Sequence, residues 1–286
     1  MTPPAVSRPT AEHGLLLRLA GPLQSWGTHS HFNERDTAPF PTRSAIIGLL
    51  AAALGRQRHE PIDDLTQLSL TVRTDRPGVL LRDLHTVGGG LPAKATVTTA
   101  EGKKRSGHHT TLLTHRTYLA DAAFTVALTH PDGNHPILHT CAQALTRPQW
   151  PLYLGRRSCP PEGPLLLGTT NDALHHLLHL PIAAPPPKNH DTAHGITFTS
   201  DRTLTHLPAP TNWGHPAPHE ADQTAGEITD QPTTFHPRRR TYLTRMLYQL
   251  TLQPPRTQYH GLGTAHLQAL STYLNHHMNT TQRSGQ

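Results

Sequence analysis

Two cysteines, Cys141 and Cys159, are all this chain contains, too few for a disulfide framework. Aromatic residues make up 5% and hydrophobic residues 35%, so an extensive core has to be gathered from a few apolar runs such as Ala45–Leu54 and Ala122–Leu128. The longest apolar run is about ten residues, too short to cross a bilayer. No positively charged start leads into an apolar stretch, so a secretory signal is not expected either. Together these absences point to a cytoplasmic protein with no membrane partner. Acidic residues are the minority: 19 against 25 Lys and Arg leave a formal charge of +6 and a pI near 9.7. A basic balance of this size favours an anionic partner. The 24 histidines, uncounted in that charge, would add to it if held beside phosphates.

The informative residues are near the start. LLLRLAGPLQSWG (Leu15–Gly27) reads as an apolar strand closed by a Gly-Pro turn, with Trp26 after it. FPTRSAIIGLLAAALGR (Phe40–Arg56) reads as a helix over 41–56 that is apolar nearly all round, and hence buried, with Thr42 as its cap. The N–H groups at such a helix start favour an anion, and Arg18, Arg35 and Arg43 surround it with charge. Strands are expected at 68–73, 79–85, 117–128 with a break at Asp121, and 165–168. Helices are expected at 136–145 and 172–180. That order is a ferredoxin-like βαββαβ unit, an α+β fold. Residues 86–114 interrupt it with glycines, threonines and Lys103-Lys104-Arg105, and read as a protruding hairpin or loop. The expected organisation is a mobile leader over 1–12, the main domain over 13–182, a linker and C-terminal strand segment over 183–252, and an extension over 253–286. Within it, residues 205–232 read as irregular, 241–252 as a last strand preceded by Arg238-Arg239-Arg240, and 264–278 as a terminal helix.

The candidate nucleic-acid contacts sit at strand ends and in glycine-rich turns. They are Arg18, Gln24, Trp26, Arg35, Arg43, Ser44, His85, Thr86, Gly88, Gly89, Lys94, Arg116, Tyr118, Arg156, Arg157 and Ser158. Arginine forks donate bidentate hydrogen bonds to phosphate. Glycines let backbone amides approach an anion closely. Trp26 and Tyr118 offer faces for unpaired bases.

The two N-terminal runs, with LRDLHTVGGG (Leu81–Gly90), HRTYLADAAFTVAL (His115–Leu128) and WPLYLGRRSCPPEGPLLLG (Trp150–Gly168), occur in an order that resembles the CasD family of type I-E CRISPR Cascade subunits, within the RAMP superfamily. The likeness covers most of residues 14–170 and weakens after about 185. It implies a modified ferredoxin-like, RRM-like fold with a β-hairpin thumb. It also implies a non-catalytic protein that caps the 5′ handle of the CRISPR RNA, using no cofactor. The implied partners are the Cascade backbone subunit and the large DNA-recognition subunit, with target DNA reached through the complex.

Other chemistries find less in the residues. The His-rich clusters, including His175, His176 and His179, lack a zinc-helix pattern and any CxxC pair, so no metal site is expected. Cys159 has no evident base beside it. A metal-independent endoribonuclease that processes the CRISPR RNA precursor is the alternative. It would draw an acid and a base from His85, His108, His109 and Tyr118.

Overall fold

A computed structural model describes residues 11–28, 30, 31, 33–88, 103, 111–187, 195–205, 207–213 and 224–278. The expected leader is outside these residues except at its end, as is most of the 86–114 insertion with Gly89, Lys94, His108 and His109. In chain order the elements are β1 (Gly14–Ala20), β2 (Leu23–Gln24), β3 (Ser30–His31), β4 (Glu34–Arg35), α1 (Arg43–Ala53), β5 (Ser69–Arg76), β6 (Val79–Val87), β7 (Leu112–Ala120), β8 (Ala123–Thr129), α2 (Pro136–Thr146), β9 (Leu166–Thr170), α3 (Ala173–His179), β10 (Ile196–Ser200), β11 (Thr224–Thr234), β12 (Thr241–Leu252) and α4 (Gly263–His277).

The main sheet runs β11-β12-β10-β5-β8-β1-β9, and its pairings are antiparallel. Within it β5-β8-β1-β9 is the strand order of a βαββαβ unit. Side chains on β1 alternate across the sheet as a strand's must. Leu15, Leu17 and Leu19 join Ile46, Ile47 and Leu50 of α1 and Leu138 of α2 on one face. Leu16 joins Leu174, Leu177 and Leu178 of α3 and Leu270 of α4 on the other. Each such buried side chain contributes about 1.5–3 kcal/mol. The chain turns from β7 to β8 at Asp121, whose φ of 57° is left-handed and marks the expected break. A second sheet, β2-β7-β4-β3, also carries β6, paired with β7 from Val79↔Ala120 to Val87↔Leu112. This is the base of the hairpin that the sequence anticipates. No helix among the described residues is long and apolar enough to cross a membrane.

Three expectations need correction. Residues 205–232 are not irregular throughout: β11 begins at Thr224 and pairs with β12. The segment 183–252, expected to hold a linker and one last strand, also supplies β10, which joins β5 to β12 and makes the C-terminal strands part of the main sheet. Thr42 takes the N-cap position of α1, but its side chain does not cap. The cap comes from Asp230, whose carboxylate accepts the Arg43 N–H at 2.7 Å.

Buried polar groups tie the two faces together. Arg73, 1% exposed, donates to the carbonyls of Leu177, Leu178, Leu180 and Pro181 at 2.7–3.2 Å and is ion-paired with Asp75. It thereby satisfies carbonyls that the end of α3 leaves open. Where α3 meets α4, His176 Nδ1 and Tyr273 Oη share a 2.9 Å hydrogen bond. Burial, then the neighbouring His175, pulls His176 down from 6.5 to about 4. The folded state therefore prefers the neutral ring. Its stabilisation is full above about pH 6.5 and is lost as pH falls toward 4. The melting temperature should drop across that window, and His176→Phe should flatten the drop. An unchanged pH profile in the variant would place the titration elsewhere.

Candidate nucleic-acid interface

The sequence-predicted residues divide into core and surface. Gln24 and Trp26 are fully buried. Gln24 donates to the carbonyls of Leu19 and Ala122 at 3.2 and 2.8 Å and accepts from the Trp26 indole N–H at 3.2 Å. These two residues lock the turn after β1 and present nothing to a ligand. Arg18 is ion-paired with Glu162 and its side chain is 13% exposed.

Arg43 is the largest correction. It is 6% exposed, pairs with Asp201, and donates to Gln231 and to the Thr66 carbonyl. Asp230, which caps α1, is held in turn by Arg245. Burial pulls the Arg43 guanidinium down from the ordinary arginine value, against the opposing pull of Asp201. Burial likewise pushes the Asp201 carboxyl up, and Arg43 holds it down. With Asp230 at the α1 N-terminus, the anion site is filled by the protein's own carboxylate. Ser44, next in the helix, remains half-exposed.

The surface group does assemble. Register places Arg116 opposite both Asp83 and Arg35 on the second sheet. His85 Nδ1 approaches Asp83 at 3.5 Å. Thr86 is exposed, and Gly88, with φ of 85°, has the backbone freedom expected of it. The 150–158 loop docks alongside. Its Arg156 guanidinium lies 4.7 Å over the ring of Tyr118 and donates to the carbonyls of Thr117, Arg35 and Asp36 at 3.0–3.1 Å. Arg156 is thus a clamp between loop and sheet. Tyr118, 4% exposed, is the base it rests on and not a stacking platform. The clamp presents Arg157, Ser158 and Arg35, all exposed and, for the two arginines, without an ion pair among the described residues.

The close approach at Gly155 makes this docking possible. A Cβ there would sit 1.7 Å from the Ser25 carbonyl oxygen, and φ is +90°. Ser25 N–H donates to Leu154 at 3.0 Å across the same contact.

Beside this face runs a groove of about 550 Å³ over the outer side of α1. Ser44, Ala45, Gly48 and Ala52 form its small-residue floor. Arg35, Arg56, Arg58, Arg156 and Arg240 line it, with Trp150, Tyr153, Phe235 and Tyr242, and no carboxylate does among the described residues. Arg56 is ion-paired with Asp64. Sequence reasoning placed Arg35, Ser44 and Arg156 in the site and missed the rest. The missed signal was an aromatic residue on either side of a basic run, Phe235 and Tyr242 around Arg238-Arg239-Arg240.

Among the described residues, catalytic and metal chemistry have little to use. Cys141 and Cys159 are buried, and burial pushes Cys159 up and Cys141 up to about 12. His130, Asp132 and His135 bring ligand atoms within 4.8 Å of one another. However, the Nδ1 atoms of both histidines accept backbone N–H groups, from Asp132 and Ile137 at 3.1 and 3.2 Å, and the rings stack at 4.0 Å. That leaves the proton on each Nε2 and no lone pair for a cation. The cluster turns the chain into α2.

Comparison with known proteins agrees with this geometry. The family model described as CRISPR-associated protein (Cas_Cas5) matches residues 14–185. The CRISPR system Cascade subunit CasD of Escherichia coli (strain K12) is 38% identical over 204 residues, 68% of this chain and 90% of that protein. A chain of a solved CRISPR RNA-guided surveillance complex superposes with a TM-score of 0.74 at 39% identity, covering 92% of this chain and 99% of its own. A crystal structure of a Cas protein superposes at 0.55 with 31% identity, covering 87% and 98%. With a βαββαβ strand order, a paired hairpin base and an arginine-lined face all in place, the chain belongs to the Cas5 family of CRISPR-associated proteins and, within it, to the CasD group.

Proposed function

We propose that this protein is a non-catalytic subunit of a type I-E Cascade complex that binds and caps the 5′ handle of the CRISPR RNA in the cytoplasm. The carrying observation is the arginine groove, which includes the exposed Arg35 and has no carboxylate among its described lining residues, with exposed Arg157 next in sequence to its Arg156. Arginine contacts to phosphate would fix the strand without reading its sequence. Arg116, half-buried on β7, would add a further contact near the hairpin base. His85, Thr86 and Gly88 lie further along the hairpin, where the RNA would pass beneath the thumb, with Gly89 and Lys94 beyond them in sequence.

Anchoring of neighbours has its own support. Leu80, Leu84 and Leu113, on one face of the β6–β7 hairpin by register, are 52–66% exposed, an apolar surface suited to the Cascade backbone subunit. The large DNA-recognition subunit would join through the assembled complex and bring target DNA. Of the residues the endoribonuclease alternative would use, Tyr118 is buried, His85 is half-buried beside Asp83, and His108 and His109 lie outside the described residues.

Binding of a short single-stranded RNA of repeat sequence should weaken steeply as salt rises, because phosphate contacts release counterions. Arg35→Ala and Arg157→Ala should each weaken binding by roughly 1.5–3 kcal/mol and lower the salt slope by about one charge. Wild-type binding that is insensitive to salt would overturn the reading. A unique RNA cleavage product formed in EDTA would favour the endoribonuclease.

A further inference from the structure

We infer that the β11–β12 hairpin is the second wall of a single-stranded RNA site, in which an unpaired base stacks on Trp150 or Tyr242 and the adjoining phosphates are held by Arg58 and Arg240. This rests on the RNA-binding reading above and extends it to residues beyond the 14–185 span of the family match.

The wall is rigid and correctly placed. Its middle is pinned to α1 by the Asp230 cap on Arg43 and by the Arg245–Asp230 ion pair. Near the tip, the Phe235 ring lies over Gly48, where an added Cβ would already be 3.7 Å from the ring. The turn is ordered by its own hydrogen bonds, Arg239 N–H to the His236 carbonyl at 3.0 Å and Arg238 N–H to His236 Nδ1 at 3.2 Å. Glycine at position 48 and the neighbouring Ser44, Ala45 and Ala52 keep the floor low between this hairpin and the 150–158 loop. The resulting volume, about 550 Å³, falls within the range of pockets that enclose small molecules, roughly 300–1,000 Å³.

The chemistry selects the ligand. Arg58 and Arg240 are exposed and carry no ion pair among the described residues, so neither charge is already spent on the fold. Trp150 is 39% exposed, unlike Trp26 at 0% and Trp213 at 3%. Free guanidinium groups beside open aromatic faces suit a strand whose phosphates and base faces are both available. A duplex hides its base faces, and a simple anion would have no use for the aromatic walls. Arg238 and Arg239, exposed at the tip, continue the positive track out of the groove.

The test uses the full chain and a short single-stranded RNA of repeat sequence. Because Trp150 is the exposed tryptophan, binding should quench intrinsic fluorescence. Trp150→Ala should remove most of that quench and weaken binding roughly tenfold or more, while Trp150→Phe restores affinity by keeping a stacking face. The Arg58→Ala/Arg240→Ala double variant should lower the salt slope by about two charges, and the double lysine variant should restore it. Variants that bind like wild type, while Arg35→Ala and Arg157→Ala still bind weakly, would overturn the hairpin assignment and leave the RNA-binding reading standing. Equal affinity and quench with duplex RNA would also overturn the assignment. Absence of any RNA binding by the wild-type chain would overturn both.

Discussion

Arg43→Ala is expected to cost roughly 3–5 kcal/mol of folding stability and to leave the salt slope of RNA binding unchanged. The side chain joins α1 to three distant places: Asp201 after β10, Gln231 on β11 and the Thr66 carbonyl. Removing it strands the Asp201 carboxylate, which is buried and whose Oδ1 already has no partner. A charge left unpaired in such a site costs far more than the intact pair gains. Against a typical total of about 5–15 kcal/mol, the loss removes a large share of stability. Denaturant unfolding read beside an RNA titration separates the possibilities. Normal stability with a salt slope reduced by one charge would return Arg43 to the RNA surface. Asp201→Asn in the Arg43→Ala background should recover part of the loss, because it removes the orphaned charge.

Gly155→Ala is expected to lower RNA affinity by at least about a hundredfold, the sum of two charged hydrogen bonds at roughly 1.5 kcal/mol or more each. A methyl group at 155 would collide with the Ser25 carbonyl, and the loop has no compliant side chain there to move aside. The displaced loop would carry Arg156 off Tyr118 and shift Arg157 with it. The core, in contrast, should persist, since Leu154 and Cys159 are the loop's buried apolar anchors and neither is altered. Binding within a few-fold of wild type, with a normal unfolding curve, would show that the docked loop is not what presents the arginines.

These two residues show where sequence reading succeeds and where it ends. Gly155 sits in a recognisable Tyr-Leu-Gly-Arg-Arg turn, so its neighbourhood was legible even though its contact with Ser25 was not. β1, α1 and β8 are legible as near-continuous apolar runs, and α2 as a helical segment with its apolar residues on one face. β11 was not: along Thr224–Thr234 the fully buried residues are Asp230 and Pro232, so no apolar alternation marks it. β10 is five residues long, too short for periodicity to stand out. Arg43 looked like a surface cation because its partners are 158 and 187 residues away. Trp26 looked like a stacking platform because nothing local to it reveals that Gln24 and the sheet close over it. The aromatic and basic hairpin was visible as letters, but its position over α1 follows from sheet order alone.

The Asp230 cap on α1 also sets an order of events during synthesis. The helix appears early, yet its N-terminal partner is made 187 residues later. At about 5–20 residues per second, the interval is roughly 10–40 seconds. For the first 158 of those residues Arg43 lacks both acidic partners, and until the end one wall of the groove does not yet exist. On the proposed RNA site, a growing chain would offer only part of the groove until the hairpin closes. Capture of RNA would then be a property of finished molecules, and ribosome-bound fragments would compete for it poorly.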